Sequence, residues 1–389
     1  MPHAKLPAVF MRGGTSKAVI FHARDLPADR NAWAPIFLSL MGSPDPSMRQ
    51  LDGMGGGVSS LSKVCIVGPP THPDADVDYT FAQILIDTAR VDYGINCGNM
   101  SSAIGPFAID EGLVVRPNGG AAVVRIHNTN TKKIIVARFA MEGDSAAVDG
   151  DMAIDGVAGT GAPIRLEFMA PGGARTGRLL PTGHARDTLD VAGIGPVTVS
   201  LVDAANPCVI IAAASLGATA TELPTQIEAD KPLMAKLEAI RRAASVAMGL
   251  APDLDAAARS SAPFIAMIAA PIAMTTLSGR TLSPADMDIV VRVISSGQPH
   301  RATPLTGALC FAVATRIEGT LAADMARGLA RDASQIRIAH PSGVIVVDAR
   351  VRTPATGASA DPTAQPHAEY AAVYRTARRL FEGRVLYRA

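Results

Sequence analysis

Short apolar runs separated by turn residues recur along the whole chain. Two of them, residues 8–11 and 18–21, flank a glycine-rich turn and predict a pair of adjacent strands. The same pattern predicts further strands at 63–68, 79–84, 122–126, 134–139, 197–202 and 208–213. Longer apolar stretches predict helices at 31–41, 101–111 and 307–318, and a pair of helices across 233–248. The sequence therefore predicts a mixed α/β fold.

The predicted elements occur twice in a similar order. A helix that opens at Cys97 ends at 110–112, and a second helix that opens at Pro304 ends at 317–319, so a constant offset places Cys97 opposite Pro304. Chance similarity between short alanine-rich stretches is the alternative explanation. At 389 residues the chain suits two domains. We expect lobes at 1–185 and 186–389, with the last strands able to cross back to the first lobe. Helix amino termini from both lobes would form an anion site in a shared cleft.

Composition limits the classes of function. The chain has 36 basic and 35 acidic residues, so no global field would draw it to nucleic acid or to an anionic membrane. Its four cysteines, at 65, 97, 208 and 310, lack the spacing of a zinc site or a disulfide framework. With no signal-like amino terminus and no apolar run of transmembrane length, the expectation is a cytoplasmic protein with reduced thiols.

Several motifs that resemble cofactor sites do not qualify. The glycines at 53–57 precede a strand, whereas a dinucleotide fingerprint precedes a helix. Residues 13–17 have the letters of a phosphate loop in the wrong order. The eight histidines show no paired helical spacing. We therefore expect no cofactor and no metal.

Cys97 is the first candidate for chemistry. It lies at the start of a predicted helix, where unpaired N–H groups and the positive end of the dipole favour a thiolate and can also bind a carboxylate. The alternative is an ordinary buried thiol beside a glycine turn.

The motifs of this chain resemble those of the PrpF family, in the same order and over nearly the whole length. They lie at 11–17, 41–45, 51–56, 62–63, 96–99, 181–183, 193–195, 296–300 and 340–343. The family comprises isomerases of 2-methylaconitate, oxalomesaconate and methylitaconate. The resemblance implies a diaminopimelate-epimerase-like fold of two similar α/β lobes. Each lobe is then a curled sheet around a central helix, with the active site in the cleft between the lobes.

The resemblance also implies roles for individual residues. Lys63 and Cys97 are the catalytic pair, while Pro304 stands where an epimerase would have its second cysteine. Arg12 is a carboxylate clamp rather than part of an ordinary turn, and His300 is an orienting donor. The implied substrate-binding set is Arg12, Gly13, Gly14, Thr15, Ser16, Gly55, Gly56, Ser62, Asn96, Gly98, Asn99, Met100, Ser296, His300, Thr306, Gly307, Ser342 and Gly343.

A lysine and a thiol suit the movement of one proton along an allylic system. The proton next to a C=C bond is weakly acidic when the carbanion delocalises into a carboxyl group, and a desolvated lysine can remove it. Lys63 begins an apolar run and is expected to be buried, although a surface lysine is the alternative. Backbone N–H groups at 98–99 and around 55–56 could stabilise the dienolate.

The expected function is cofactor-independent isomerisation of unsaturated tricarboxylic acids, most closely that of 2-methylaconitate in the methylcitrate route of propionate breakdown. The alternatives are a 4-oxalomesaconate or methylitaconate isomerase and a non-catalytic accessory protein for a partner dehydratase. The expected partner is a small di- or tricarboxylate. The prediction allows a homodimer and a functional link to an aconitase-like dehydratase.

Overall fold

The chain divides into two compact units. A computed structural model describes residues 3–93, 97–117, 119–295, 297–326, 328–329, 335–352 and 365–388. The first unit comprises Met1–Glu167 with Tyr374–Ala389, and the second comprises Phe168–Val373. The first segment of the first unit thus ends at Glu167, and the carboxy-terminal segment of the chain returns to this unit.

Most of each unit is β-structure. The strands are β1 (His3–Gly13), β2 (Ser16–His22), β3 (Lys63–Gly68), β4 (Val77–Ile84), β5 (Val91–Asp92), β6 (Ala121–Asn128), β7 (Lys133–Glu142), β8 (Ser145–Ala146), β9 (Met152–Ala153), β10 (Thr160–Gly161), β11 (Ile164–Met169), β12 (Asp187–Val191), β13 (Gly195–Ala204), β14 (Asn206–Ala212), β15 (Phe264–Ala269), β16 (Met274–Thr275), β17 (Thr281–Leu282), β18 (Ile289–Ser295), β19 (Gln298–Pro299), β20 (Ile336–His340), β21 (Gly343–Arg352), β22 (His367–Arg375) and β23 (Ala377–Arg388).

Seven α-helices are formed by the residues that the structure describes. They are α1 (Trp33–Met41), α2 (Gly98–Asp110), α3 (Pro224–Ala229), α4 (Lys231–Ala247), α5 (Leu254–Ala258), α6 (Leu305–Thr315) and α7 (Leu321–Met325). Within the described part of the chain, none of these helices is both long enough and apolar enough to cross a membrane.

Both units have the same sheet topology. In the first unit, strands pair in the order β23, β1, β2, β3, β4, β6, β7, and the successive pairings are antiparallel, antiparallel, parallel, antiparallel, parallel and antiparallel. In the second unit the order β12, β13, β14, β15, β18, β20, β21 gives the same series of directions. The internal repeat predicted from the sequence is confirmed, and its first unit is completed by the last strand of the chain.

One apolar helix is enclosed by the strands of each unit. In the first unit α2 packs against β1, β2, β3, β6, β7 and β23, and in the second unit α6 packs against β13, β14 and β21. Nearly all residues of both helices are buried, as expected for helices that are apolar on every side. The residues before them, Cys97 and Pro304, are the two N-caps, so the predicted correspondence of these positions is also confirmed.

A second helix covers the other face of each sheet. The buried side chains of α1 are Trp33, Ile36, Phe37, Leu40 and Met41, a helical spacing that packs on Phe21, Val64 and Ile66. In the second unit α4 contributes Leu233, Leu237, Ile240 and Ala244 to the corresponding core. The prediction of a mixed α/β fold with strands around a central helix in each half is confirmed.

One prediction of local structure needs correction. The segment 233–248 belongs to one helix rather than two, and Pro232 lies in the first turn of α4, where a missing N–H costs nothing. The connection between β21 and β22 joins two antiparallel strands, and one more strand, β23, follows them. Residues 353–364 of that connection lie outside the described residues.

Candidate active site

Lys63 is the first residue of β3 and is buried, with 7% of its surface exposed. Its Nζ donates a hydrogen bond to Gln83 Oε1 at 2.5 Å and lies 5.0 Å from the centroid of the Phe81 ring. The Gln83 amide is fixed by its own Nε2, which donates to Ser62 O at 2.8 Å and Ser59 O at 3.1 Å. Among the described residues no carboxylate pairs with Lys63. The predicted burial is confirmed, and the partner of the amine is neutral.

Cys97 is the N-cap of α2, as predicted, and it is half-buried whereas the other three thiols are fully buried. The first turn of α2 has no acidic residue. Ser101 N–H and the Ser101 hydroxyl both donate to Cys97 O, at 3.0 Å and 3.1 Å. Among the described residues, no side-chain cap satisfies the first N–H groups of α2, and the first N–H groups of a helix have no partner within the helix itself. The thiol therefore lies among backbone donors that suit an anion.

The buried Cys65 thiol is influenced by both Lys63 and Cys97. It points to the same face of β3 as Lys63, two residues earlier, and lies 3.8 Å from the Tyr79 hydroxyl. Burial raises the pKa of Cys65, the neighbouring Cys97 thiol raises it further, and Tyr79 and the Lys63 ammonium lower it. Burial also raises the pKa of Tyr79, and both cysteines add to that effect. Lys63 and Cys97 therefore both act on one buried thiol.

The turn between β1 and β2 packs on the amino terminus of α2. Asn99 Nδ2 donates to Thr15 Oγ1 at 3.1 Å, and Ser16 is buried at the start of β2. A Cβ on Gly13 would lie 2.7 Å from Asn99 O, and a Cβ on Gly14 would lie 2.3 Å from Asn99 Oδ1. Glycine is therefore required by the close approach of this turn to the helix.

The Arg12 side chain hydrogen-bonds to the same turn. Its Nη1 donates to Gly14 O and to Thr376 O, each at 3.0 Å. Burial lowers the pKa of Arg12 from its usual value, and the neighbouring Arg378 lowers it further. The side chain thus lies in a locally positive region and also braces the turn, so a role as a carboxylate clamp stays a prediction.

Substitution of Gly14 by Ala is expected to disturb this arrangement. Gly14 has φ +51°, so any side chain adds left-handed strain as well as a clash with Asn99. We expect the free energy of unfolding to fall by about 2–4 kcal/mol and activity to fall with it. The matched control is Gly143→Ala, with φ +58° and no atom within 4 Å of the added Cβ. It should cost about 1 kcal/mol.

Urea unfolding and initial rates of both variants measure this difference. Equal losses in the two variants would show that the packing of Gly14 on Asn99 contributes nothing beyond backbone strain.

Arg375 is a buried residue of this region that the sequence did not indicate. It ends β22, and its Nε donates to Asn99 Oδ1 at 3.1 Å while Nη1 donates to Tyr374 O at 2.9 Å. Burial lowers the pKa of Arg375 to about 10. No motif surrounds it, and the only signal in the sequence is a charged residue at the end of the apolar run 371–373.

Three other predicted residues of the first unit serve the local fold. The Ser62 hydroxyl donates to Ile84 O at 2.9 Å and accepts from Gln50 Nε2 at 2.7 Å. A Cβ on Gly55 would lie 2.3 Å from the Gln50 side chain, and one on Gly56 would lie 2.7 Å from Leu61. The Gly55 N–H donates to Met41 O at 3.3 Å, and its expected use as a donor to the dienolate stays a prediction.

The predicted residues of the second unit lie near the start of α6 and at two turns. His300 Nε2 is 2.6 Å from Ser295 Oγ, and burial lowers the pKa of His300, which leaves the imidazole neutral near pH 7. Thr306 and Gly307 are in the first turn of α6, which has no acidic residue. Ser342 forms the turn between β20 and β21, ahead of Gly343, and its hydroxyl donates to Arg301 O at 2.7 Å.

Two predicted site residues, Asn96 and Ser296, lie outside the described residues. In the remainder of the chain, no group of three or more His, Cys, Asp and Glu side chains is arranged to hold a metal ion.

Proteins from several bacteria resemble this chain over most of its length. A 3-methylitaconate isomerase of Eubacterium barkeri is 42% identical over 98% of this chain and 97% of its own. A 2-methyl-aconitate isomerase of Shewanella oneidensis is 39% identical over 90% of each chain. A 4-oxalomesaconate tautomerase of Pseudomonas putida is 37% identical, also over 90% of each chain.

The fold has a close counterpart among solved structures. The crystal structure of a methylitaconate-delta-isomerase superposes with a TM-score of 0.89 at 40% identity, covering 100% of this chain and 96% of that one. A sequence model described as PrpF protein matches residues 3–388. The chain therefore belongs to the PrpF family and is an isomerase.

Proposed function

We propose that this isomerase acts on unsaturated tricarboxylic acids by allylic proton transfer, with 2-methylaconitate as its substrate. The observation that carries the proposal is that the buried Lys63 and Cys97, the N-cap of α2, both lie near enough to the Cys65 thiol to act on its pKa. Two proton-carrying groups at one place suit a reaction that takes a proton from one carbon and returns it to another. The relatives' names support a substrate with a C=C bond and several carboxylates.

The surroundings of Lys63 suit a base. Its hydrogen-bond partner is the neutral Gln83 amide, and β3 and Phe81 exclude water from its stem. An aspartate or glutamate in place of Gln83 would hold the amine in its charged form. The proposed base thus has a neutral hydrogen-bond acceptor rather than a carboxylate beside it.

The proposed reaction needs only proton movement. Either Lys63 Nζ or Cys97 Sγ accepts the proton from the allylic carbon, and the electron pair of the broken C–H bond delocalises through the C=C bond into a carboxyl group. A proton delivered to the other end of the allylic unit moves the double bond. Rotation about the partly single bond of the dienolate exchanges cis and trans forms. The first N–H groups of α2, which have no side-chain cap among the described residues, would stabilise the negative charge of that intermediate.

A second candidate substrate is 3-methylitaconate. The relative of that name matches 98% of this chain, and the solved methylitaconate-delta-isomerase shares its whole fold. Isomerisation of this acid shifts a double bond without a net cis–trans change, so the same two proton carriers would suffice. The third candidate substrate is 4-oxalomesaconate, the acid in the name of the Pseudomonas putida relative.

Comparison of kcat/KM for the three acids tests the substrate assignment. We expect 2-methylaconitate to give the highest value, and we expect neither chelator treatment nor added nicotinamide cofactor, pyridoxal phosphate or divalent metal to change it by more than about twofold. NMR of each acid incubated with enzyme follows the conversion. A higher kcat/KM for 3-methylitaconate or 4-oxalomesaconate would transfer the assignment to that acid, and loss of all activity on chelation would contradict the cofactor-independent mechanism.

A further inference from the structure

Arg375 differs from the other buried arginines of the chain. Arg241 is 4% exposed and pairs with Glu238 at 2.7 Å. Arg292 is 1% exposed; burial lowers its pKa, and the nearby Glu222 carboxylate raises it. Arg375 is 7% exposed and burial lowers its pKa, and among the described carboxylates none pairs with it. Its charge is therefore buried without a counter-charge.

A charge buried in this way is unfavourable for folding alone. Taking a guanidinium out of water is costly unless an anion accompanies it, and a hydrogen bond to Asn99 could be made by a neutral side chain. The cost is offset if an anion binds beside Arg375 during function. Buried charges of this type often mark functional sites.

The position of Arg375 indicates which anion it would meet. Its guanidinium contacts Asn99, two residues after Cys97, and the adjacent Thr376 O accepts from Gly14 N at 2.9 Å and from Arg12. The start of α2 and the Arg375 guanidinium therefore belong to one hydrogen-bonded arrangement. Both favour a carboxylate, and a planar guanidinium can bind a carboxylate through two parallel hydrogen bonds.

We infer that Arg375 is a substrate-binding residue that recognises one carboxylate of the acid next to Cys97. This inference rests on the proposed function for the identity of that acid. It adds a specific residue, from the last part of the chain, to a site otherwise formed by the motifs at 11–17, 62–63 and 97–99. Anchoring one carboxylate here would hold the neighbouring allylic carbon near Cys97 and Lys63.

The test uses the full-length protein and tricarballylate, a saturated tricarboxylate that cannot be isomerised. For Arg375→Met we expect the Kd of tricarballylate, measured by calorimetry, to rise about 10–100-fold, because a charge-assisted contact is lost. The ligand-free Tm should stay the same or rise, because an uncompensated buried charge is removed. Arg375→Lys should fall between Met and wild type. The control is Arg384→Met, an exposed arginine of β23, with Kd within about twofold of wild type.

Other anions and the reaction itself complete the test. Acetate and inorganic phosphate should bind more weakly than tricarballylate. The inference is wrong if wild type does not bind tricarballylate, if phosphate binds as tightly, or if Arg375→Met leaves both Kd and KM within about twofold of wild type. If Arg375→Met lowers the ligand-free Tm while Arg375→Lys binds tricarballylate as wild type does, Arg375 is a structural cation and the inference is wrong.

Failure of the inference and failure of the proposed function are distinguishable. Arg375-dependent binding without isomerisation of any of the three acids would leave the carboxylate site in place and remove the proposed reaction. Isomerisation with an unaffected Arg375→Met variant would do the reverse.

Discussion

Replacement of Lys63 by Met is expected to lower kcat by ~10²–10⁴-fold, the range that a general acid or base contributes. Met preserves the length and the apolar contacts of the stem beside Phe81 but cannot carry a proton. The fold should survive, because the change leaves one acceptor, Gln83 Oε1, without its donor, at a cost of about 1–3 kcal/mol. The binding of tricarballylate should change little.

The control for this variant is Lys5→Met, an exposed lysine of β1, which should keep the wild-type kcat. Steady-state kinetics, thermal unfolding and calorimetry of the two variants give the comparison. Retention of more than about a tenth of the wild-type kcat by a folded Lys63→Met protein would remove Lys63 from the proton transfer.

The second large loss of kcat is expected when Cys97 is replaced. A serine hydroxyl at the start of α2 is far less acidic than a thiol, so Cys97→Ser should lower kcat by ~10²-fold or more if the sulfur carries a proton. In the wild-type enzyme, iodoacetamide should modify Cys97 first, and substrate should slow that modification. The other thiols, Cys65, Cys208 and Cys310, are fully buried and act as internal controls.

Mass spectrometry of partly inactivated enzyme tests this order. Burial raises the pKa of Cys65 and of Cys208, which disfavours the reactive thiolate at both. Inactivation that follows modification of one of these buried thiols, with Cys97 intact, would exclude Cys97 from the mechanism.

Much of the fold was predictable because its elements are locally encoded. The apolar run at Lys63–Gly68 is a strand with the predicted bounds, and Cys97 is the predicted N-cap of α2. The correspondence of Cys97 with Pro304 followed from two similar helices at a constant offset. These features depend on neighbouring residues, which a single sequence displays.

The features that were not predicted depend on distant parts of the chain. The sequence analysis allowed the last strands to cross back to the first lobe, but no local pattern reports that β23 pairs with β1, which begins at His3. Arg375 is 276 residues from Asn99, the side chain that it contacts. The role of Gln83 likewise depends on the cross-strand register that places it opposite Lys63. The hydrogen bond from Gly55 N–H to Met41 O is likewise a tertiary contact that the local sequence does not report.

The central claim is that Lys63 and Cys97 move an allylic proton of an unsaturated tricarboxylic acid. Its most direct test is ¹H NMR of 2-methylaconitate, 3-methylitaconate and 4-oxalomesaconate incubated with enzyme in D₂O. The account predicts that wild type isomerises at least one acid and places deuterium on the carbon that receives the proton. Lys63→Met and Cys97→Ser should give less than about a hundredth of that conversion in the same time. Absence of isomerisation and of exchange with all three acids, or conversion by both variants at the wild-type rate, would contradict it.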